Sequence, residues 1–300
     1  HAPMTTLPTA PLSTDDRRAL TIGVIGAGRL GTALAGALAA AGYTGVQLAS
    51  RDEVRAQTAA ATLGVPTAPI DRVVETCALV FLAVPDRAIA LLAEVLPWRA
   101  GQGVVHASGA LGLDVLAGAS ARGAIAGCLH PLQTFPGTTD AAACAALFRG
   151  VTCGVEGASP LGELLEALAG DLDARAVPLE GVDRARYHAA AVLVSNDVVA
   201  LMAAATRAWS AAGLPEDAAR EALAPLLLAA ASNVARLSLA EALTGPIARG
   251  DADTVARHLA ALANDHDLSR VYRVLGRELL RLDLGHAAET RAALEALMRD

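Results

Sequence analysis

The chain has 300 residues, and its 24 basic against 31 acidic side chains leave a formal charge of −7. Every one of the 24 cations is an arginine, which excludes any mechanism built on a lysine, whether Schiff base, general acid or phosphate clamp. The acidic balance argues against a nucleic-acid or membrane partner, and the length suits one large or two medium domains.

Residues 1–19 read as a disordered lead-in. His1-Ala2-Pro3 before Met4 resembles an expression remnant, and Thr5 to Asp16 is rich in proline and threonine. Folded structure is expected from Leu20. Thr21 to Ile25 reads as a short apolar strand, and Gly26-Ala27-Gly28-Arg29-Leu30-Gly31 opens a helix reaching Ala41. A second strand, Val46 to Ala49, ends in Ser50-Arg51, after which Asp52 can cap a helix to about Leu63. Cys77 to Val84 is a continuous apolar run of the kind buried on both faces of a parallel sheet. Pro85-Asp86 stops it and caps a helix to about Leu96, and strands follow at Gly103 to Ala107 and Ala124 to Leu129. Val151 to Val155 and Ala174 to Leu179 extend the sheet around a helix from Leu161 to Gly170. This alternation implies a doubly wound parallel α/β sheet, a Rossmann fold, over residues 20–180.

Beyond Gly181 strand signals vanish. Residues 181–300 read as an all-helical domain of four to six helices, broken at Gly213-Leu214-Pro215, at Thr244-Gly245-Pro246, near Asn264 and near Gly285. The apolar stretch Ala189 to Thr206 is long enough to span a bilayer but carries Ser195, Asn196 and Asp197 at its centre, so a buried helix is expected instead. The four cysteines show no CxxC pair and no matching histidine spacing. They read as reduced core residues of a cytoplasmic protein with no metal site.

The glycine-rich loop meets each contextual requirement of a dinucleotide site, because it follows a strand, opens a helix and lies in a βαβ unit. Gly26 permits the tight turn, Gly28 lets the backbone approach a pyrophosphate, and Gly31 lets helix and strand pack closely. Arg29 and Leu30 lie between them on the helix end that would receive the phosphates. At the end of the second strand stands Ser50-Arg51 rather than an acidic residue, a hydroxyl and a guanidinium suited to a ribose 2′-phosphate. NADP (NADPH) is therefore the expected cofactor.

Ligands of this fold lie beyond the carboxyl ends of the strands. Three segments should arrive there. Ala83-Val84-Pro85 flanks the cofactor. His106-Ala107-Ser108-Gly109 places a hydroxyl and a glycine by the nicotinamide. The loop from His130 to Phe135 concentrates imidazole, amide and hydroxyl groups, with Gln133 and Thr134 suited to substrate recognition. In the helical domain His188, Ser195 and Asn196 share one face of an unbroken helix, as readily an interhelical network as a site. Thr244 and Arg249, ahead of an Asp251 cap, can hold a carboxylate.

Four motifs, GAGRLG, HPLQTF from His130, YHAAAVLVSN from Tyr187 and LTGPIARGD from Leu243, resemble a family that joins a Rossmann-like NADP-binding domain to a helical domain of unknown function. That helical part is similar to the C-terminal domain of 6-phosphogluconate dehydrogenase. Relatives include ketopantoate reductase, pyrroline-5-carboxylate reductase, prephenate dehydrogenase and deazaflavin-dependent NADP reductases. The resemblance covers about Leu20 to Leu284 and implies a small-molecule substrate bound between the domains and a homodimer formed through the helices. Several relatives use a helical-domain lysine, often with an asparagine one turn on. Here the corresponding helix offers His188 and, two turns later, Asn196, so any proton donor must be a different residue. His130 is the rival, since prephenate dehydrogenases also carry a His-Pro pair in a similar loop.

The expected activity is reduction of a small oxo acid, ketopantoate or a near analogue, by NADPH. His188 would serve as proton donor, Asn196 and Ser108 would orient the carbonyl, and Thr244 with Arg249, or Gln133 with Thr134, would hold the carboxylate. Two other readings stand beside it: a non-catalytic NADP-binding sensor, and an imine or deazaflavin-linked reductase.

Overall fold

The computed structural model describes residues 6–137 and 140–299, and places them in two compact units that meet between Leu193 and Val194. The expected expression remnant, His1-Ala2-Pro3, lies outside the described residues.

Chain order in the first unit runs α1 (Thr14–Arg18), β1 (Thr21–Ile25), α2 (Arg29–Ala40), β2 (Gly45–Ala49), α3 (Glu53–Leu63), α4 (Ile70–Thr76) and β3 (Leu79–Leu82). It continues through α5 (Asp86–Val95), β4 (Gly103–His106), a 3-10 turn (Leu113–Leu116), α6 (Ala117–Ser120), β5 (Ile125–Pro131), α7 (Ala141–Ala146), β6 (Thr152–Gly157), α8 (Leu161–Asp171), β7 (Arg175–Pro178) and α9 (Arg184–Val194). The strands form one sheet in the order β2-β1-β3-β4-β5-β6-β7. The chain steps outward from β1 to β2 and then returns past β1 to β3, which opens a switch-point crevice at the carboxyl end of β1.

All four residues of β3 are fully buried, because apolar layers cover both faces of the sheet. One layer sets Leu34, Leu38, Phe148, Leu165 and Leu168 against it, and the other sets Val73, Ile89, Ala93 and Leu116. The sheet departs from the all-parallel expectation at one junction, where β6 runs antiparallel to β5. Among the described residues the link between them carries only the six-residue α7, and the Leu132 N–H donates to the Thr152 carbonyl, so the chain re-enters the sheet at the end it left. A full crossover returns with α8, and β7 pairs parallel to β6.

Residues read as a lead-in carry structure from Leu7. Its side chain is buried and its N–H donates to the Gly101 carbonyl. Arg17 of α1 forms a two-point ion pair with Asp171, which also accepts from the Tyr43 hydroxyl. All four cysteines are buried, as expected of small core residues.

The second unit contains α10 (Asn196–Ala211), α11 (Glu216–Arg236), α12 (Leu239–Ala242), α13 (Ala252–Ala261), α14 (His266–Leu279) and α15 (Ala288–Leu297). Helix ends fall at the four expected breaks. A further break at Leu237-Ser238 is set by a capping box between Ser238 and Glu241. Asp251 caps α13 as expected, accepting from the Thr254 N–H at 3.0 Å. The core of this unit is small, built on Ile247, Val255, Leu259, Leu280, Leu294 and Met298.

Two expectations about the apolar stretch fail. The run from Arg184 to Ala211 is long and apolar enough to cross a membrane by length and composition, yet it is interrupted at Ser195 (φ −121°, ψ −74°). The premise that put His188, Ser195 and Asn196 on one helix face is therefore lost. The run is also largely exposed within the single chain rather than buried, with Leu193, Val194 and Val199 all more than half exposed. The physical reason is the small core around α13 to α15, which leaves α10 packed mainly on α11.

Candidate functional site

The glycine-rich loop has three glycines with three different reasons to be glycine. Gly26 takes φ +121°, and a Cβ there would lie 2.2 Å from the Ala83 carbonyl oxygen, so turn and close approach both exclude a side chain. A Cβ at Gly31 would lie 1.8 Å from the Gly26 carbonyl oxygen, so the close approach is of helix on loop rather than the helix on strand that was expected. Gly28 differs from both. It is the N-cap of α2 with φ −78°, and a Cβ would meet nothing within 4 Å. Nothing within 4 Å in the protein itself requires glycine at this position, whereas a ligand lying on the backbone would.

The surroundings suit an anion. Helix α2 begins at Gly28 with no side-chain cap and no acidic residue in its first turn, so its N–H groups and positive dipole end are open. A cleft of about 360 Å³ adjoins it, lined by Gly28, Arg29, Thr32, Arg55, Thr58 and Thr62 among others. Arg29 and Arg55, which line this cleft, form no ion pair among the described residues, and neither does Arg51. Sequence reasoning missed Arg55. Its signal was the spacing from Arg51, four residues apart across the start of α3, where Asp52 caps by accepting from the Arg55 N–H. The Ser50 hydroxyl accepts from the Asp52 N–H at 3.2 Å and keeps its own O–H to donate. Ala83, Val84 and Pro85 follow β3 beside this loop, where the Ala83 N–H donates to the Ile25 carbonyl. Asp86, expected as a helix cap, is instead the first residue of α5.

A second polar region forms at the carboxyl ends of β4 and β5. His106, the last residue of β4, is fully buried, and its Nδ1 accepts from the Ser108 N–H. Burial, and then the positive Arg184, push its pKa down to about 4. The Ser108 hydroxyl donates to Asp86 Oδ2 at 2.7 Å and accepts from the N–H groups of Ala110 and Leu111, both at 3.2 Å. One donor and two acceptor positions are then filled. Ser108 holds its loop, and its expected role of orienting a substrate has no hydroxyl left to perform it.

His130 and Pro131 belong to β5 itself rather than to the loop after it, pairing with Gly154 and Cys153 of β6. His130 Nδ1 shares a 2.9 Å hydrogen bond with the Tyr187 hydroxyl. Burial, and then the neighbouring His188 and Arg184, push the His130 pKa down to about 4. Burial, followed by the nearby Cys128, pushes Tyr187 up to about 12. At neutral pH the pair therefore holds an uncharged imidazole against an intact phenol.

His188 stands across from His130, ring centroids 6.0 Å apart and edge to face. Both rings pack over Gly109. A Cβ there would lie 2.8 Å from His130 Nε2 and 2.8 Å from His188 Nδ1. His188 Nδ1 is buried with no hydrogen-bond partner among the described residues, a cost that a polar ligand or a small ring movement would remove. The two histidines weighed as rivals in the sequence thus stand together. Tyr187 was named there only as the start of its helix, and Gly109 only as a neighbour of Ser108.

The other expected site residues have local partners or are exposed within their own unit. The Gln133 carboxamide donates to the Leu147 carbonyl and accepts from the Thr134 N–H, so it ties its own loop, while Thr134 is exposed. Asn196 opens α10 and accepts from the Ser195 hydroxyl at 3.0 Å. Thr244 and Arg249 are exposed on the turn that precedes α13. Among the described residues no three His, Cys, Asp or Glu side chains are grouped to hold a metal ion.

Comparison with known proteins bears on the fold and the domain make-up. No curated protein matches the chain. A solved structure of a candidate NADP oxidoreductase from Bacteroides fragilis is 28% identical and superposes with a TM-score of 0.69 over 88% of this chain and 98% of that one. A Thermotoga maritima protein is 24% identical, with a TM-score of 0.65 over 86% and 98% of the two chains. A reductive aminase from Aspergillus terreus, solved with NADPH and ethyl-5-oxohexanoate, shares the fold at 19% identity, with a TM-score of 0.60 over 93% and 92%. Residues 7–131 match the model of a Rossmann-like domain, and residues 151–279 match a domain of unknown function, DUF2520. The chain joins a Rossmann-like domain to a DUF2520 domain.

Proposed function

We propose that this chain is an NADPH-dependent reductase of a polarised double bond in a small molecule, with a ketopantoate-like oxo acid as the first substrate to test. The observation that carries the reading is the histidine pair over Gly109, at the same carboxyl edge of the sheet as the glycine-rich loop. The open end of α2 at Gly28 would hold the pyrophosphate, and Ser50, Arg51 and Arg55 would hold the 2′-phosphate. The 28% identical B. fragilis structure, named as a candidate NADP oxidoreductase, supports this choice of cofactor.

When bound, the cofactor supplies the hydride. The chain's own residues must then place a proton at the atom left negative. His188 is assigned that proton, and His130 with Tyr187 stands behind it as a hydrogen-bonded pair able to resupply one. Because His130 is uncharged at neutral pH, it serves as a relay rather than a standing acid. The same property favours a second reading. An imine can arrive already protonated and needs a weaker donor than a ketone does, so a site whose relay is an uncharged His130 fits C=N reduction as well.

Incubation of the protein with NADPH and a panel of 2-oxo acids and cyclic imines tests the reading through loss of the reduced-nicotinamide absorbance. Turnover on either class supports a reductase, and the preferred class decides between the two. Tight NADPH binding with no turnover on any member would make the chain a nucleotide-binding sensor instead.

A further inference from the structure

Helix α9 is joined to the sheet by one stripe of side chains. Arg184, Tyr187 and His188 stand at positions i, i+3 and i+4 and therefore share a face. Arg184 is the only buried residue of this helix. Its guanidinium reaches two strands at once, with Nη2 pairing with Glu156 of β6 and Nη1 lying 3.6 Å from Cys128 Sγ of β5. One turn further along, the Tyr187 hydroxyl meets His130 of β5, and it occupies the space beside Gly154 of β6, where a Cβ would lie 2.7 Å from it. His130 and Gly154 are register partners across the β5–β6 junction. The helix thus rests on the one antiparallel seam of the sheet, and its ion pair lies at the end of the stripe opposite His188.

We propose that Arg184 is a positioning residue. Its two-strand grip, closed by Glu156, fixes the register of α9 on β5 and β6 and so sets His188 and Tyr187 against His130 over Gly109. A guanidinium suits this task because its planar fork serves two acceptors in fixed directions, whereas an ammonium would serve as a point charge. Removing one partner of so buried a pair leaves the other uncompensated, so the contact resists sliding. The inference rests on the proposed reductase site for its catalytic consequence, but not for its geometry.

Groups facing His130 from the elements packed on it are His188, Tyr187 and Arg184 on α9, Asp86 on α5, and His106 on β4. Of these, only Arg184 changes charge in the variant Arg184→Gln. Its loss removes a positive neighbour and loosens the burial that chiefly holds His130 uncharged, and both effects raise the His130 titration midpoint.

The test uses the full chain carrying Arg184→Gln, Arg184→Lys or Glu156→Gln, the last preserving volume. Three readouts are taken: NADPH affinity, the imidazole nitrogen resonances of His130 and His188 across pH, and turnover. NADPH affinity should stay within about twofold of the parent, reporting an intact glycine-loop cleft. Imidazole resonances should move in all three variants, and the His130 midpoint should rise in Arg184→Gln, with partial recovery in Arg184→Lys. Turnover should fall about tenfold or more in Arg184→Gln, mainly in kcat rather than KM. Parent-like resonances and an unmoved His130 midpoint in any folded variant would overturn the proposal. Should the arginine variants not fold, Glu156→Gln gives the same decision through the two resonances, and loss of folding in all three would make the ion pair a general prop and overturn the assignment as well. Moved resonances in a protein whose parent turns over no substrate would leave Arg184 as assigned and refute the reductase reading alone.

Discussion

The glycine-rich loop and the histidine cluster lie at the same edge of one sheet, yet they are built in opposite ways. The loop is local: six consecutive residues supply the turn, the open helix end and the close packing. The cluster is assembled from three segments, with Gly109 after β4, His130 at the end of β5 and Tyr187-His188 on α9, and it exists only once the sheet and helix have docked. A local motif tolerates change elsewhere in the chain, whereas an assembled one depends on every contact that sets its register.

The sharpest division lies within the loop itself. Gly26→Ala should destabilise the fold by about 3 kcal/mol or more, since the backbone is left-handed and the methyl meets a carbonyl. Gly28→Ala should keep the parent's Tm while weakening NADPH binding at least about tenfold, or roughly 1.4 kcal/mol. Thermal melts paired with NADPH titrations check both, and equal losses of stability in the two variants would break the distinction. His188→Ala should lower turnover by about two orders of magnitude and leave NADPH affinity unchanged, because its site is separate from the loop. Unchanged turnover would remove His188 from the mechanism.

A smaller effect separates the cofactors. Arg55→Ala, in the cleft beside the loop, and Arg51→Ala, just ahead of the α3 cap, should each weaken NADPH roughly tenfold, the scale of one charged hydrogen bond, and leave NADH untouched. The smallest effect is on stability against pH. His106 and His130 have folded-state values near 4, below the 6.5 of an unfolded histidine, so the unfolded chain takes up their protons first. Their contribution is whole above about pH 6.5 and is lost progressively as pH falls towards 4. Urea midpoints measured across that window should decline, and His106→Asn should flatten the decline.

This contrast also explains what could be read from the sequence. Strand–helix alternation, the Asp52 and Asp251 caps and the four helix breaks all depend on neighbours within a few residues, and all stand as read. Partners distant in sequence were not readable. Ser108 looked like a substrate ligand, but Asp86, 22 residues away, accepts its hydrogen bond. Gln133 looked like a recognition group, but Leu147 and its own neighbour use both ends of its amide. The pairing of Tyr187 with His130 spans 57 residues and has no local signature. The antiparallel junction at β6 escaped for a related reason, since strand direction follows from where a connection ends rather than from strand composition.

One measurement bears most directly on the central claim. NADPH carrying deuterium at the transferable C4 position, supplied with a 2-oxo acid or a cyclic imine, reports hydride transfer without assumptions about the site. The account predicts one deuterium on the reduced carbon for each NADPH consumed, with the rate falling about a hundredfold in His188→Ala. NADPH that binds tightly but delivers no deuterium to any member of either class would contradict it.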